Sequence, residues 1–248
     1  MSATESKNVN PLAALATFFS SSIGAKFLMA ITGFLLWGFV LQHMVMNLQV
    51  FIPVDFEKSG YFGQSINEYA ANLKSMGPVV WGGRAFLLTI FVLHIVLGIR
   101  LAAMNRAARA VRYEGQALRK ATLMSRTMPL TGLAVLGFVV FHIAHFTLGA
   151  VQPEAFALRD PAGLHHVAQM MWEGFKVPWI VALYVVGNVL LLSHLYHGSA
   201  SLFQSIGWRH PVYTPLLAWG GRAFVLAIVV GNLAMPLVLF NWGRMVGG

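Results

Sequence analysis

The chain has 248 residues, 57% of them hydrophobic and only 10% charged, with a mean hydropathy of +0.68; a soluble domain carries roughly 25% charged residues, so a soluble globular protein is excluded. The formal charge of +9, from 17 Lys and Arg against 8 Asp and Glu, is the excess expected of a membrane protein with loops held on the cytoplasmic side, and no nucleic-acid partner is expected. The absence of cysteine excludes disulfides, chain-ligated iron–sulfur clusters, zinc thiolate sites and thiol nucleophiles. Nine histidines remain as the soft ligands.

In chain order, a polar to mildly amphipathic N-terminal segment over about 1–22 precedes sustained apolar runs at about 24–51, 79–104, 128–151, 178–203 and 216–241. Each run is long enough to cross a hydrocarbon core of about 30 Å. The predicted fold class is all-α: a polytopic membrane protein with five transmembrane helices and a four-helix core, forming one transmembrane domain over 1–248. The first run carries His43 and no small-residue cleavage site follows it, so it reads as a retained span and no cleavage is expected. The connection from Leu101 to Thr127 holds Arg106, Arg109, Arg112, Arg119, Lys120 and Arg126 against the single acid Glu114, which predicts a cytoplasmic loop. Five spans then put the N-terminus inside and the loops near 52–78 and 152–177 outside. Asp55, Glu57, Glu68, Glu154, Asp160 and Glu173 all fall in those two outer loops. The expected location is the inner, cytoplasmic membrane of the cell.

The hexapeptide Trp81-Gly82-Gly83-Arg84-Ala85-Phe86 recurs as Trp219-Gly220-Gly221-Arg222-Ala223-Phe224 near the starts of spans two and five. Two readings are open: interfacial anchors, with Trp at headgroup level and Arg snorkelling, or an arginine at 84 or 222 that pairs with an anionic cofactor group where glycines allow close approach.

Depth sorts the histidines. His43 lies late in span one, and His142 and His145 lie past the middle of span three, so all three fall in the outer half. His94 lies late in span two, and His194 and His197 lie late in span four, so these fall in the inner half. Two ligand-competent pairs follow, His43 with His142 or His145 and His94 with His194 or His197, separated along the membrane normal by roughly 10–15 Å. Imidazole suits iron, and two neutral imidazoles on opposite faces of a haem satisfy an electron-transferring iron without an open position. The spans hold no carboxylate that would complete a zinc or copper site of the soluble type. Gly33, Gly38, Gly98, Gly132, Gly137, Gly187 and Gly198 supply small residues, which serve either a bulky planar group or close helix packing.

The segment Ser21-Ser22-Ile23-Gly24-Ala25-Lys26-Phe27-Leu28-Met29-Ala30-Ile31-Thr32-Gly33, followed by Leu41-Gln42-His43-Met44 and Asn47, resembles the first helix of the dihaem cytochrome b subunit of succinate:quinone oxidoreductases and fumarate reductases. His94 with Gly98, Thr131-Gly132 with His142, and His197-Gly198-Ser199 followed by Leu202 and Gly207-Trp208 are similar to the family's other ligand segments. The resemblance implies that His43 and His142 ligate a distal haem b, and His94 and His197 a proximal one. It implies partners too: a flavoprotein subunit and an iron–sulfur subunit docked on the cytoplasmic face, a quinone exchanged with the membrane lipid, and room for a higher oligomer of the complex. The chain would then be the non-flavin membrane subunit of an enzyme complex. His145 and His194, each one turn from an implied ligand, read as propionate partners, proton-path groups or hydrogen-bonded packing residues, and Arg84 and Arg222 as further propionate candidates.

Quinone chemistry needs a hydrogen-bond donor to each carbonyl and a route for two protons. Ser21, Ser22 and Lys26 form one candidate site at the inner end, near Ser125 and Arg126; Glu68 before span two marks another at the outer end. Their ordinary readings are helix caps, a topology charge and a solvated loop acid. Dihaem members of the family are commonly paired with menaquinone, which is the expected substrate. The competing readings are the cytochrome b anchor of a hydrogenase or formate dehydrogenase, and a haem-free transporter or anchor that uses its histidines for protons.

Overall fold

The computed structural model describes residues 10–52, 61–107, 123–208 and 210–246. Among these the chain is helical with no strand, apart from one isolated antiparallel bridge between Arg159 and His165. The elements are α1 (Pro11–Ser20), α2 (Ser22–Asn47, continued by a 3-10 turn over Leu48–Phe51), α3 (Gln64–Ser75), α4 (Pro78–Ala107), α5 (Leu123–His142, continued by a π turn over Ile143–Thr147), α6 (Pro153–Phe156), α7 (Val167–Phe175), α8 (Pro178–Ser205) and α9 (Tyr213–Val246). The helices α2, α4, α5, α8 and α9 are long and apolar enough to cross a membrane, so this is an all-α, multi-pass membrane protein. Leu88 and Ile99 of α4, Leu130 and Leu133 of α5, and Leu216 of α9 stay largely exposed, as a lipid-facing surface requires. The basic loop residues Arg109, Arg112, Glu114, Arg119 and Lys120, and the acids Asp55 and Glu57, lie outside the described residues.

Helix ends follow local chemistry. Asn10 accepts the Leu12 N–H at 3.0 Å to start α1, with Pro11 at its first position. Ser21 closes α1 and opens α2, donating its hydroxyl to the Phe18 carbonyl at 2.6 Å and accepting the Gly24 N–H at 3.0 Å. The Arg100 guanidinium of α4 donates to the terminal carbonyls of α1 at Phe19 and Ser20, satisfying acceptors that a helix C-terminus leaves free. The N-terminal segment read as polar to mildly amphipathic thus contains an uncharged helix with Leu12, Leu15, Phe18 and Phe19 exposed. The third span stops at Thr147, short of the expected 151, because Gly149 takes φ +66 and a side chain there would overlap Phe156.

Around the bundle, α2 packs on α4 and on α8, and α5 packs on α8, whereas α4 and α5 touch little. The four helices therefore form a ring in which α2 lies diagonally across from α5 and α4 across from α8. The fifth span, α9, lies outside this ring against α8 and α2. One end of the ring is capped by α3, α6 and α7, and the tightest apolar packing sits there, with Val50, Ile66, Met171, Phe175, Ile180 and Leu239 all buried.

A polar latch holds the cap. The Tyr61 hydroxyl donates to Asp160 Oδ2 at 2.5 Å, and Asp160 Oδ1 accepts the N–H groups of Ala162 and Leu164 at 3.0 and 2.8 Å. Asn67, fully buried, reaches Asp160 Oδ2 at 3.4 Å and His166 Nδ1 at 3.1 Å, and accepts the Ala168 N–H. Burial pushes the Asp160 carboxyl up, but the hydrogen bonds from Tyr61, Leu164 and Ala162, with His166 nearby, outweigh it and hold the group below the usual carboxylate value. Burial pushes His165 and His166 down. Both effects make the closed cap more stable at neutral than at acid pH. As the pH falls below the ordinary histidine value of 6.5, the open chain takes up protons that the closed cap resists, and stability is lost. A second loss follows as the pH falls through the lowered value of Asp160. Asp160→Ala should cost the cap about 2 kcal/mol, read as a lowered opening free energy in hydrogen exchange over α3 and α7 at neutral pH; unchanged protection there would show that the latch does not hold the cap.

Candidate functional site

Two imidazole pairs meet across the diagonals of the ring. His43 of α2 and His142 of α5 face each other toward the capped end with ring centroids 5.6 Å apart and planes at 89°. His94 of α4 and His194 of α8 face each other in the other half, 6.4 Å apart and at 74°. Gly33 of α2 abuts the His94 ring and lies ten residues before His43, which sets the two layers about 15 Å apart. His197, the second-span-four histidine, makes no side-chain hydrogen bond or ring contact among the described residues. The pair assembled in that half is His94 with His194.

Hydroxyl groups decide the state of the rings. Thr32 Oγ1 lies 2.9 Å from the Leu28 carbonyl, 3.1 Å from Met29 O and 3.0 Å from His94 Nδ1; when its one proton goes to its own helix backbone, His94 Nδ1 is the donor to Thr32 Oγ1. Thr131 likewise donates to the Met128 carbonyl at 3.0 Å and faces His194 Nδ1 at 3.4 Å. With the proton on Nδ1, the lone pair of each ring lies on Nε2, the tautomer a metal ligand needs. Gly33 and Gly132 stand beside these threonines, and a Cβ on either would sit 3.3 Å from the facing imidazole carbon. In the capped half, Tyr184 Oη lies 3.2 Å from His142 Nδ1. His43 packs on Phe39 at 5.5 Å, and His142 on Phe138 at 6.3 Å.

These contacts repeat because the sequence does. Thr32-Gly33, Gly38-Phe39-Val40 and His43 in α2 recur at the same spacing as Thr131-Gly132, Gly137-Phe138-Val139 and His142 in α5. His94 and Gly98 in α4 recur as His194 and Gly198 in α8. The two halves, α2 with α4 and α5 with α8, thus supply equivalent residues to each layer, and equivalent histidines meet at the bundle axis. That repeat, unlike the tryptophan-containing hexapeptide, runs through the histidines themselves and is the signal in the sequence that singles out His194. Tyr184 and Gln152 belong to no such repeat, and only the packing brings them to the site.

The remaining candidates are dispersed. Ser21 spends its hydroxyl on helix ends, and Ser22 and Lys26 are exposed. No hydrogen bond among the described residues joins any of the three to the His94 layer. Glu68 is exposed on α3 and accepts from the Gln64 amide at 2.8 Å. Arg84 lies over Trp81 at 4.9 Å on the exposed face of α4, the arrangement of an interfacial anchor. Arg222 lies over Tyr196 at 5.2 Å, beside the stretch of α8 that carries His194. His145 is buried among Tyr184, Gln152 and Phe146.

Chemically, each layer offers two neutral imidazole nitrogens and no third ligand, and no group of three or more metal-binding side chains exists among the described residues. Metal–imidazole bonds of about 2 Å on opposite sides of one ion would put the ring centroids about 6 Å apart, which both pairs approximate. No family model, curated protein or solved structure matches the chain. Gly33→Leu and Gly132→Leu should each destabilise the bundle by about 1–3 kcal/mol through overpacking against the facing imidazole, whereas Gly82→Leu, at a position with open space, should be nearly neutral. Thermal unfolding of the three variants in detergent checks this; equal behaviour of all three would mean that the glycines do not frame the layers.

Proposed function

We propose that the chain is an electron-transferring cytochrome b, the membrane subunit of a succinate:quinone oxidoreductase or fumarate reductase. The observation that carries this reading is the pair of imidazole layers on diagonal helices, with three of the four rings held at Nδ1 by a hydroxyl. The donor set fits two haem b groups: His43 with His142, and His94 with His194. His194 replaces His197 as the fourth ligand because it faces His94 and has Thr131 as its partner, while His197 has neither. Bound there, the haems would supply reversible one-electron storage at two depths.

The chain's own residues orient and enclose these groups. Thr32, Thr131 and Tyr184 fix the ring tautomers, the flanking glycines admit a planar group between helices, and the apolar spans exclude water. Arg222 is the candidate counter-charge for a propionate in the His94 layer. A flavoprotein and an iron–sulfur subunit would dock on the cytoplasmic face, taken as the end opposite the cap, and a quinone, menaquinone as the first choice, would exchange electrons with the chain. Because the His43–His142 and His94–His194 pairs lie at two depths, groups held there would let electrons cross the dielectric, and a quinone reacting at the capped end would couple turnover to the membrane potential at about 2.3 kcal/mol per charge per 100 mV.

The test is a reduced-minus-oxidised spectrum and redox titration of the protein purified from its native membrane, with His43→Ala, His194→Ala and His197→Ala. Two b-type centres are expected, with His43→Ala and His194→Ala each removing a different one and His197→Ala removing none. A wild-type protein without b-type bands overturns the function, and loss of a centre in His197→Ala alone would return the fourth ligand to His197.

A further inference from the structure

From the capped-end layer, a hydrogen-bonded chain runs toward the cap. Tyr184 Oη lies 3.2 Å from His142 Nδ1 and 3.1 Å from His145 Nδ1, and His145 Nε2 lies 2.7 Å from Gln152 Oε1. The chain is closely enclosed. His145 is 2% and Tyr184 5% exposed, the His145 ring stacks on Phe146 at 3.9 Å, and a Cβ on Gly174 would stand 3.1 Å from that ring. The backbone is adapted to it as well. The Leu148 N–H reaches back five residues to the Ile143 carbonyl at 2.9 Å, a π turn that places His145 beside the same tyrosine hydroxyl that His142 meets.

Donor and acceptor capacities give the chain a direction. Gln152 Oε1 only accepts, so His145 Nε2 carries a proton; neutral His145 then accepts at Nδ1, and Tyr184 donates its single proton to it. Tyr184 Oη is left to accept from His142 Nδ1, which frees His142 Nε2. At Thr32 and Thr131 the same job is done by a hydroxyl anchored to its own helix backbone. Among the described residues, only the capped-end layer places a second buried imidazole, His145, in such a chain.

We propose that Tyr184 and His145 are positioning residues for the His43–His142 centre, which fix the proton on His142 Nδ1 and thereby set the electron-donating strength of its Nε2. This rests on the haem reading above. An acceptor at Nδ1 makes an imidazole a stronger donor at Nε2 and stabilises the oxidised metal. Removing that acceptor should raise the potential of this centre and leave the His94–His194 centre unchanged.

The experiment is a redox titration with low-temperature electron paramagnetic resonance on the intact protein in its native membrane, comparing wild type with Tyr184→Phe, His145→Leu, His145→Gln and Gln152→Leu. Tyr184→Phe and His145→Leu should raise the midpoint of one and the same b centre, the one lost in His142→Ala, and alter its resonance positions. His145→Gln, whose amide oxygen can again accept from Tyr184, should restore the wild-type value, and Gln152→Leu should give a smaller upward shift. Two b centres with unshifted midpoints in Tyr184→Phe and Gln152→Leu overturn the proposal while the haem reading stands. Loss of the centre in Tyr184→Phe also overturns it, since the hydroxyl would then hold the ligand rather than tune it. A wild-type spectrum without b-type bands refutes the haem reading itself.

Discussion

An imidazole inside a membrane has no water to satisfy its N–H, and the rest of this structure is arranged around that constraint. Thr32 and Thr131 answer it for His94 and His194, and Tyr184 for His142. The threonines can do so only because their own protons go to backbone carbonyls one turn earlier, which leaves an oxygen lone pair pointing across the helix interface. The glycine after each threonine leaves clearance, since a Cβ there would stand 3.3 Å from the ring that the threonine holds. The Thr-Gly dipeptide is therefore a small device that combines a hydrogen-bond acceptor with clearance for the ring it binds.

The device occurs twice, which accounts for the shape of the four-helix ring. Equivalent residues in α2 and α5, and in α4 and α8, sit on opposite diagonals, so equivalent histidines approach each other at the axis rather than at a helix–helix edge. The fifth span breaks the equivalence. Against α2 and α8, α9 brings Val225, Ile228 and Val229, all buried, while the opposite edge between α4 and α5 is left loosely closed. Close approach at the covered edges comes from small residues: Gly187 leaves room for the Phe138 ring, and Gly231 for the Met44 side chain.

The two ends of the bundle are built differently. At the end near α1, contacts are local caps and the Arg100 staple, and much apolar surface stays exposed. At the other end, short helices, a buried asparagine and the Asp160 latch make a closed lid over the layer that carries His142 and His145. The polar groups around Asp160 are mutually satisfied, with Asn67 using its amide on Asp160, His166 and the Ala168 N–H, whereas the buried indole N–H of Trp172 in α7 has no hydrogen-bond partner among the described residues. Such a network favours one arrangement of the cap, because any shift leaves a buried polar group unpaired. The His142–Tyr184–His145–Gln152 chain ends against this lid, so cap and layer share a boundary.

Hydropathy and composition by themselves determined the fold class and the five spans, because a membrane imposes a length and an apolar composition that any single segment displays on its own. The helix ends moved by no more than about five positions, with α5 starting at Leu123 and α9 ending at Val246, and the third span closes four residues early where Gly149 takes a left-handed conformation. Depth arithmetic also sorts the histidines into two layers, since helical rise is fixed per residue, and His43 lies against His142 and His94 against His194. It left His142 against His145 and His194 against His197 open, because residues three apart on a helix differ mainly in the direction they face. That direction depends on how neighbouring helices are rotated and packed, and on a π turn that no propensity announces. Only the tertiary structure therefore brought His194 to His94 and gave His145 to Tyr184, and only it paired Tyr61 with Asp160 across 99 residues, since such contacts are properties of two surfaces and not of either segment alone.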